Sequence, residues 1–347
     1  MTNKVEKKLY ISLLSVIATI SVVMIHTNNT TVWIYKDLDY WVNANRLECV
    51  LYIAVPLFFM ISGSNLINYR KRYDTRTFLL KRVKRTLIPF WAWSFIAVLY
   101  CIYSGTYEED INVFRIIIDS LTGKCMAIYW FFPAIFMCYL AIPVLSLIPE
   151  EKQKSSFSYA SIVIIIISSI RPFVMSLMGK TPDSNWDYII VNQYFVYIML
   201  GHLIDKYEMK KKYRVLIYVI GFVGLLSMVI GTEWASRTSG EYSLLFKGYL
   251  NVPCLFYSVA TFTFFRYHGE ALMRNLVINK VVSWISPYTL SIYLIHMYII
   301  SEVMKRVSIN VIHSVLYRVG FPLIIVPVSM AIAFVIRKIP VIKNICP

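Results

Sequence analysis

The chain has 347 residues, of which 58% are hydrophobic and only 16% are charged, against about 25% charged residues in an average soluble protein. A soluble fold cannot bury so much apolar surface, so the composition excludes a soluble globular protein and favours a lipid bilayer as the solvent. The six cysteines form no CxxC pair and no Cys/His cluster, which argues against a disulfide scaffold or a zinc finger; no metal site is predicted.

Stretches almost free of charge and long enough to cross a bilayer, roughly 17–25 residues, recur ten times. None alternates polar and apolar residues as a membrane β-strand does, so we predict an all-α membrane protein, a bundle of about ten transmembrane helices in a single domain over residues 1–347. The predicted spans are 9–26, 49–69, 86–107, 125–149, 155–179, 188–204, 215–232, 248–265, 281–301 and 319–336. The apolar residues of 111–121 predict a further short helix at the membrane surface.

The basic residues are unequally divided between the two sides of this topology. Of the 35 lysines and arginines, 24 lie in the two termini and every second loop, and 11 lie in the other loops. The positive-inside rule therefore places both termini in the cytoplasm. The net charge of +16 is then explained by topology and by anionic lipid headgroups, and no nucleic-acid partner is predicted.

Ionisable residues in or beside the spans are costly in hydrocarbon and are candidates for function. Five of them lie towards the outer side and predict one polar cavity there: His26, Arg46, Glu48, Arg171 and His296. The alternatives are a helix cap for His26, an interhelical hydrogen bond for His296, a surface salt bridge for Arg46 and Glu48, and snorkelling for Arg171. His202, at the inner end of its span, is read as structural.

A second polar group lies at the inner end of the second span. Ser62, Gly63, Ser64 and Asn65 are small or hydrogen-bonding residues that allow close helix contact. Arginines follow, among them Arg82 and Arg85, and such a cluster suits a ligand that carries phosphate groups. The positive-inside rule accounts for these arginines equally well.

Six blocks of the sequence resemble, in order, those of the acyltransferase-3 membrane proteins. The first-helix block is 15–26 (SVIATISVVMIH), and the second-helix block is 55–63 (VPLFFMISG). The others are 82–91 (RVKRTLIPFW), 129–133 (YWFFP), 194–201 (YFVYIMLG) and 286–296 (SPYTLSIYLIH).

This resemblance implies an enzyme of the plasma membrane, and a bacterial source. Members of the family move an acyl group, commonly acetyl, from cytoplasmic acyl-coenzyme A to hydroxyls of cell-surface glycans. His26 matches the histidine of the family's first-helix motif and becomes the predicted general base or acyl carrier. The motif's arginine, eleven positions earlier, is Ser15 in this chain. Three alternatives follow: Lys8 or the pair Arg82 and Arg85 supplies the missing cation, donor binding is altered, or the chain is a variant with changed activity.

The sequence therefore predicts a membrane-embedded O-acyltransferase, most simply an O-acetyltransferase with acetyl-coenzyme A as donor. Its catalytic residues are predicted to be His26 and Glu48. The predicted donor contacts are Arg82, Arg85, Ser15, Ser62 and Asn65, and the predicted acceptor contacts are Arg46, Trp130, Arg171 and His296. The acceptor is a glycan or a lipid-linked saccharide, and a homodimer is left open. The alternative is a transporter or flippase, which the lack of an internal repeat disfavours.

Overall fold

The computed structural model describes residues 8–36, 38–107, 111–181 and 193–347. These residues are helical, with no strand among them. The helices are α1 (Leu9–Val32), α2 (Asp39–Leu51), α3 (Ala54–Leu66), α4 (Thr75–Arg82), α5 (Ile88–Tyr103), α6 (Val113–Thr122), α7 (Phe131–Leu145), α8 (Glu150–Ile165), α9 (Arg171–Leu177), α10 (Phe195–Lys206), α11 (Lys211–Ser239), α12 (Val252–Leu272), α13 (Leu276–Ile285), α14 (Thr289–Met304), α15 (Ile309–His313) and α16 (Pro322–Lys338).

Seven helical stretches of the described residues are long and apolar enough to cross a membrane. They are Leu9–Val32, Asp39–Lys71, Thr75–Tyr103, Ala127–Leu145, Glu150–Leu177, Lys211–Ser239 and Leu316–Lys338. The predicted all-helical fold with several membrane spans is therefore confirmed. The count of ten spans and the sides of the two termini stay predictions.

The other three predicted spans fall on shorter or more polar helices. Span 188–204 falls on α10, which has 12 residues, and its first part, 188–192, lies outside the described residues. Span 248–265 falls on α12, whose last two turns carry Arg266 and Glu270. Span 281–301 is divided between α13 and α14 by a 3₁₀ turn that contains Pro287.

Prolines account for the irregular turns within the long helices. Three π-helical turns, Val83–Leu87, Ile166–Ile170 and Leu316–Gly320, each end two residues before a proline. A proline ring clashes with the carbonyl four residues earlier and donates no hydrogen bond to it, so a widened turn relieves the contact. Pro56 acts in the same way on the carbonyl of Tyr52, where α2 ends and α3 begins after a two-residue turn.

The predicted surface helix at 111–121 is found as α6. Asn112 caps its first turn by accepting a hydrogen bond from the backbone N–H of Arg115 at 2.8 Å, and Gly123 ends it with a left-handed φ of 74°. Val113, Phe114 and Ile117 are exposed on its surface. This apolar face is typical of a helix that lies on a membrane, which stays a prediction for α6.

Helix α1 is the axis of the bundle. It packs against α2, α3, α12, α14 and α16, and most of its side chains are buried. A helix that is apolar all round and buried by its neighbours belongs to a bundle core, whereas α11 exposes most of its apolar side chains and is suited to face lipid. Polar side chains along α1 therefore point into protein.

Helices α3 and α10 touch backbone to backbone. A methyl group added at Gly63 would overlap the carbonyl of Ile198, and one added at Gly201 would overlap that of Met60. The close approach predicted for the small residues after Ile61 is thus present, with Gly63 and Gly201 as its two contact points. It brings the ends of α3 and α10 together around a polar cavity.

Candidate active site

The two histidines predicted for the outer cavity are in direct contact. His26 lies on α1 and His296 on α14, and Nδ1 of His26 lies 2.7 Å from Nε2 of His296. Their rings are stacked with centroids 5.0 Å apart. His296 is fully buried, and its Nδ1 lies 2.9 Å from the carbonyl oxygen of Ile292.

These contacts determine which nitrogen of each neutral ring carries the proton. The carbonyl of Ile292 can only accept, so Nδ1 of His296 donates to it and Nε2 of His296 becomes an acceptor. Nδ1 of His26 then donates to that Nε2. The remaining nitrogen of the pair, Nε2 of His26, keeps its lone pair and can take a proton or attack a carbon.

A small cavity, here called the His26 cavity, lies beside this pair. It holds about 20 Å³, which is room for little more than one water molecule. Its aromatic wall is formed by Trp130, Tyr249 and Tyr293. Trp130 is 42% exposed and stacks on Tyr249 with centroids 5.7 Å apart, so this wall reaches the surface of the bundle.

A second cavity, the middle cavity, lies next to the His26 cavity, towards the N-terminal end of α1, and holds about 170 Å³. Residues of α1, α3, α7, α14 and the π turn before α5 line it, and most of them are apolar. Its polar groups include Ser15, Ser62 and Thr86. Tyr293 lines both the middle cavity and the His26 cavity, so the two cavities adjoin at this side chain.

The third cavity, the basic cavity, is larger than the other two and holds about 620 Å³ between the start of α1 and the ends of α3 and α10. It is lined by Lys8, Ile11, Ser12, Ser64, Asn65, Asn68, Lys71, Arg72, His202, Asp205 and Lys206. Lys8 is bound to Asp205 by hydrogen bonds of 2.7 and 2.5 Å. Lys71, Arg72 and Lys206 leave the cavity with an excess of positive charge.

The three cavities follow one stripe of α1. Lys8, Ile11 and Ser12 line the basic cavity, Ser15 the middle cavity, and Val22 and His26 the His26 cavity. Steps of three, four or seven residues keep these positions on one face of the helix. The eighteen helical steps from Lys8 to His26 span about 27 Å, close to the thickness of the hydrocarbon core.

The two predicted donor arginines differ in their surroundings. The guanidinium of Arg82 lies 5.5 Å from the ring centre of Tyr139, which lines the middle cavity. The Nε atom of Arg82 is buried and has no hydrogen-bond partner among the described residues. Arg85 is exposed, and neither arginine lines any of the three cavities. Arg82 is near the middle cavity only through its contact with Tyr139.

Arg46, Glu48 and Arg171 are not joined to the histidine pair. Arg46 pairs with Glu233 at 2.9 Å, on the exposed side of α2, and Arg171 donates to the carbonyl of Ile167 at 3.4 Å. Glu48 is buried and pairs with Lys247 instead of with Arg46 or His26. The group that orients His26 is His296, which was predicted as a contact to the acceptor.

Lys247 was missed by the sequence analysis, which counted it as a loop charge. Its side chain is fully buried, and Nζ donates to Glu48 at 2.7 Å, Asn45 at 2.9 Å and the hydroxyl of Tyr242 at 3.0 Å. The signal in the sequence was Glu48 itself, a carboxylate beside a predicted membrane span, which needs a cation as partner if it is buried. Two residues after Lys247, Tyr249 forms part of the wall of the His26 cavity.

His202 is buried beside the basic cavity, where its Nε2 lies 3.0 Å from the side-chain oxygen of Gln153. Lys206 donates to the same oxygen at 2.9 Å. This contact agrees with a structural role. No group of three or more His, Cys, Asp or Glu side chains in the described part of the chain is placed to hold a metal ion.

Comparison with known proteins identifies the family. The model of a protein family described as an acyltransferase domain matches residues 8–338, nearly the whole chain. No curated protein and no solved structure matches. The matched range begins at the basic cavity, includes both histidines and ends with α16. The chain thus belongs to the acyltransferase-3 family and is a membrane acyltransferase.

Proposed function

We propose that the chain is an O-acetyltransferase of the plasma membrane that transfers acetyl from cytoplasmic acetyl-coenzyme A to a hydroxyl of a cell-surface glycan or its lipid-linked precursor. The observation that carries this proposal is the line of cavities along α1, with a basic cavity at one end and the His26–His296 pair at the other. A donor with a charged head and a thin reactive arm suits such a path.

The nucleotide end of coenzyme A is assigned to the basic cavity. Its phosphates need cations and hydrogen-bond donors, which Arg72 and Asn65 supply at the cavity wall, beside Lys71 and Lys206, which share the carboxylate of Glu150. A volume of about 620 Å³ lies within the range for sites that bind molecules of this class. The basic end of the bundle then faces the cytoplasm, as the distribution of lysine and arginine predicts.

The pantetheine arm is assigned to the middle cavity, past Ser62 and Ser15. The cation that the family's arginine supplies on α1 would come from Arg82 on α4, because its Nε is buried and unpartnered near this cavity. Lys8 is engaged by Asp205, and Arg85 is exposed. Of the sources that the sequence left open, Arg82 is therefore the one that we propose for the donor.

The reaction uses the free nitrogen of His26. In a direct transfer, Nε2 takes the proton of the acceptor hydroxyl while its oxygen bonds to the thioester carbonyl carbon; the C–S bond breaks, and the thiolate leaves with the proton. In a two-step transfer, Nε2 attacks the carbonyl carbon and the C–S bond breaks to release the coenzyme A thiolate; the acceptor hydroxyl then bonds to the acetyl carbon, the N–C bond breaks, and the hydroxyl proton leaves with the thiolate. In both, His296 keeps the His26 ring oriented. Trp130, at the surface of the His26 cavity, is the proposed contact to the acceptor. Arg46, Arg171 and Glu48 do not contact the histidine pair, and we assign them no role in the reaction.

The direct test is turnover by the purified protein in lipid nanodiscs. Acetyl-coenzyme A is supplied with short oligosaccharides of glucose, galactose or N-acetylglucosamine as acceptor probes, and the release of free coenzyme A is followed with acetylation of the sugar. The proposal predicts coenzyme A release that depends on the acceptor. Release equal to that of empty nanodiscs with every acceptor contradicts it and favours a transporter.

Replacing Arg82 with alanine should raise the KM for acetyl-coenzyme A by about tenfold or more, since a charge-assisted contact contributes about 1.5–3 kcal/mol. The double variant Arg82→Ala with Arg85→Ala should behave like the single one, because Arg85 is exposed. Lys84→Ala, an exposed cation of the same turn, is the matched control and should leave KM unchanged. An unchanged KM in Arg82→Ala would contradict the donor contact and leave the positive-inside rule as the explanation of Arg82 and Arg85.

A further inference from the structure

Tyr249 lines the His26 cavity, where the proposed function places the reacting carbonyl group. We propose that the hydroxyl of Tyr249 is a catalytic group, which donates a hydrogen bond to the thioester carbonyl oxygen while negative charge develops on that oxygen. This inference rests on the proposed function and deepens it, since it names the residue that stabilises the charged intermediate of the transfer.

Both routes of transfer need such a donor. When the acceptor oxygen or Nε2 of His26 bonds to the carbonyl carbon, an electron pair of the C=O double bond moves to the carbonyl oxygen. That oxygen carries a negative charge until the C=O double bond forms again and the C–S bond breaks. In a buried site, a hydrogen-bond donor of the protein has to stabilise this charge. The N–H groups of the neutral histidine pair are already used, one by the carbonyl of Ile292 and one by His296.

The hydroxyl of Tyr249 is available for this hydrogen bond. It donates to no described residue, and it is not enclosed by packed atoms as the unpartnered hydroxyl of Tyr317 is. It therefore opens to free space, and Tyr249 lines the His26 cavity. The hydroxyl of Tyr293, in the wall of the same cavity, is in contrast occupied, because it donates to the carbonyl of Ile128 at 2.5 Å.

The size of the cavity brings the reacting carbonyl group close to Tyr249. The cavity holds about 20 Å³, little more than one water molecule, so a group that enters it lies next to every part of the wall. A carbonyl carbon within reach of Nε2 of His26 occupies this space, and its oxygen then lies beside Tyr249. Trp130 has the other free donor of the wall, but it is partly exposed and is assigned to the acceptor.

The ring and backbone of Tyr249 are held in place by several contacts. The backbone carbonyl accepts a hydrogen bond from the hydroxyl of Tyr197. The ring stacks on Tyr52, with centroids 4.5 Å apart, and on Trp130, with centroids 5.7 Å apart. Two residues earlier, the buried ion pair of Lys247 ties the same segment to α2. A donor that is already in position needs no reorganisation when the charge develops.

The test replaces Tyr249 with phenylalanine, which keeps the ring and removes only the hydroxyl. Tyr249→Phe should lower kcat for acetyl transfer in nanodiscs by a factor of about 10² to 10³ and leave the KM of both substrates nearly unchanged, since an oxyanion donor acts in the transition state. The loss should be equal for two acceptor oligosaccharides, because the hydroxyl acts on the donor carbonyl. A contact to the acceptor would instead raise the KM of the acceptor.

Tyr257→Phe is the matched control. The hydroxyl of Tyr257 donates to the carbonyl of Val50 at 3.2 Å, and the residue lines none of the three cavities. This variant should retain the wild-type kcat.

Two synthetic residues at position 249 test the donor itself. Replacing Tyr249 with 4-aminophenylalanine keeps an N–H donor in place of the hydroxyl and should recover part of the rate that Tyr249→Phe loses. Replacing it with 4-methylphenylalanine gives a side chain of similar size without a donor and should not. This comparison also tests the inference if Tyr249→Phe does not fold, and equal rates of the two proteins would contradict it.

The outcomes separate this inference from the proposed function. A wild-type protein that transfers no acetyl overturns both. An active wild-type protein and a Tyr249→Phe variant with the same kcat overturn this inference alone, whether or not the KM of the acceptor rises.

Discussion

Replacing His26 with alanine is expected to lower kcat for acetyl transfer by a factor of about 10² to 10⁴ if the ring acts as a general base, and to abolish transfer if it carries the acetyl group. The reason is that Nε2 of His26 is the one ring nitrogen of the histidine pair without a hydrogen bond to any described residue. The measurement is acceptor-dependent release of coenzyme A by purified variants at equal protein concentration.

His268→Ala serves as the control for this result. His268 lies on α12, is exposed, and lines none of the three cavities. It should retain the full rate, and both variants should insert in the membrane and elute as the wild type does. A His26→Ala protein with the wild-type rate would remove His26 from the chemistry.

The second large effect concerns stability. Replacing Lys247 with alanine should lower the free energy of unfolding by about 3–5 kcal/mol, because the carboxylate of Glu48 would be left buried without its cation. Unfolding in detergent can be followed by the reaction of a thiol-specific dye with Cys49 and Cys254, which are fully buried close to this pair.

Two further variants distinguish a buried ion pair from a general effect of losing lysine. The double variant Lys247→Met with Glu48→Leu removes both charges and should recover most of the lost stability. Lys305→Ala breaks the exposed pair of Lys305 and Glu302, which lie 2.8 Å apart, and should leave the unfolding midpoint almost unchanged. A double variant as unstable as Lys247→Ala would contradict the ion-pair explanation.

The helices were predictable because a backbone that crosses hydrocarbon has no water to hydrogen-bond with. An uncharged run of spanning length has to satisfy its own backbone hydrogen bonds, and α1 and α11 are found where such runs occur. The break at Tyr52 and Ile53 was not predicted, although Pro56 was visible in the sequence. Apolar composition locates a span, but it does not show where a proline interrupts it.

The sequence indicated which residues belong to the site, but it did not show which of them are in contact. His26 and His296 were both singled out, yet they are 270 positions apart, and their hydrogen bond depends on how α1 and α14 pack. Lys247 was read as a surface charge because its partner Glu48 is 199 positions away. Tyr293 is one of 26 tyrosines, and nothing in the sequence marks it as a residue that lines two cavities.

The most direct test of the transfer path uses sealed vesicles that contain the purified protein. Acetyl-coenzyme A is enclosed in the lumen, and a membrane-impermeant oligosaccharide that supports turnover in nanodiscs is added outside. Protein molecules whose basic cavity faces the lumen should acetylate the external sugar while coenzyme A stays inside. Acetylation that occurs only when donor and acceptor share a compartment would show that the acyl group does not travel along α1.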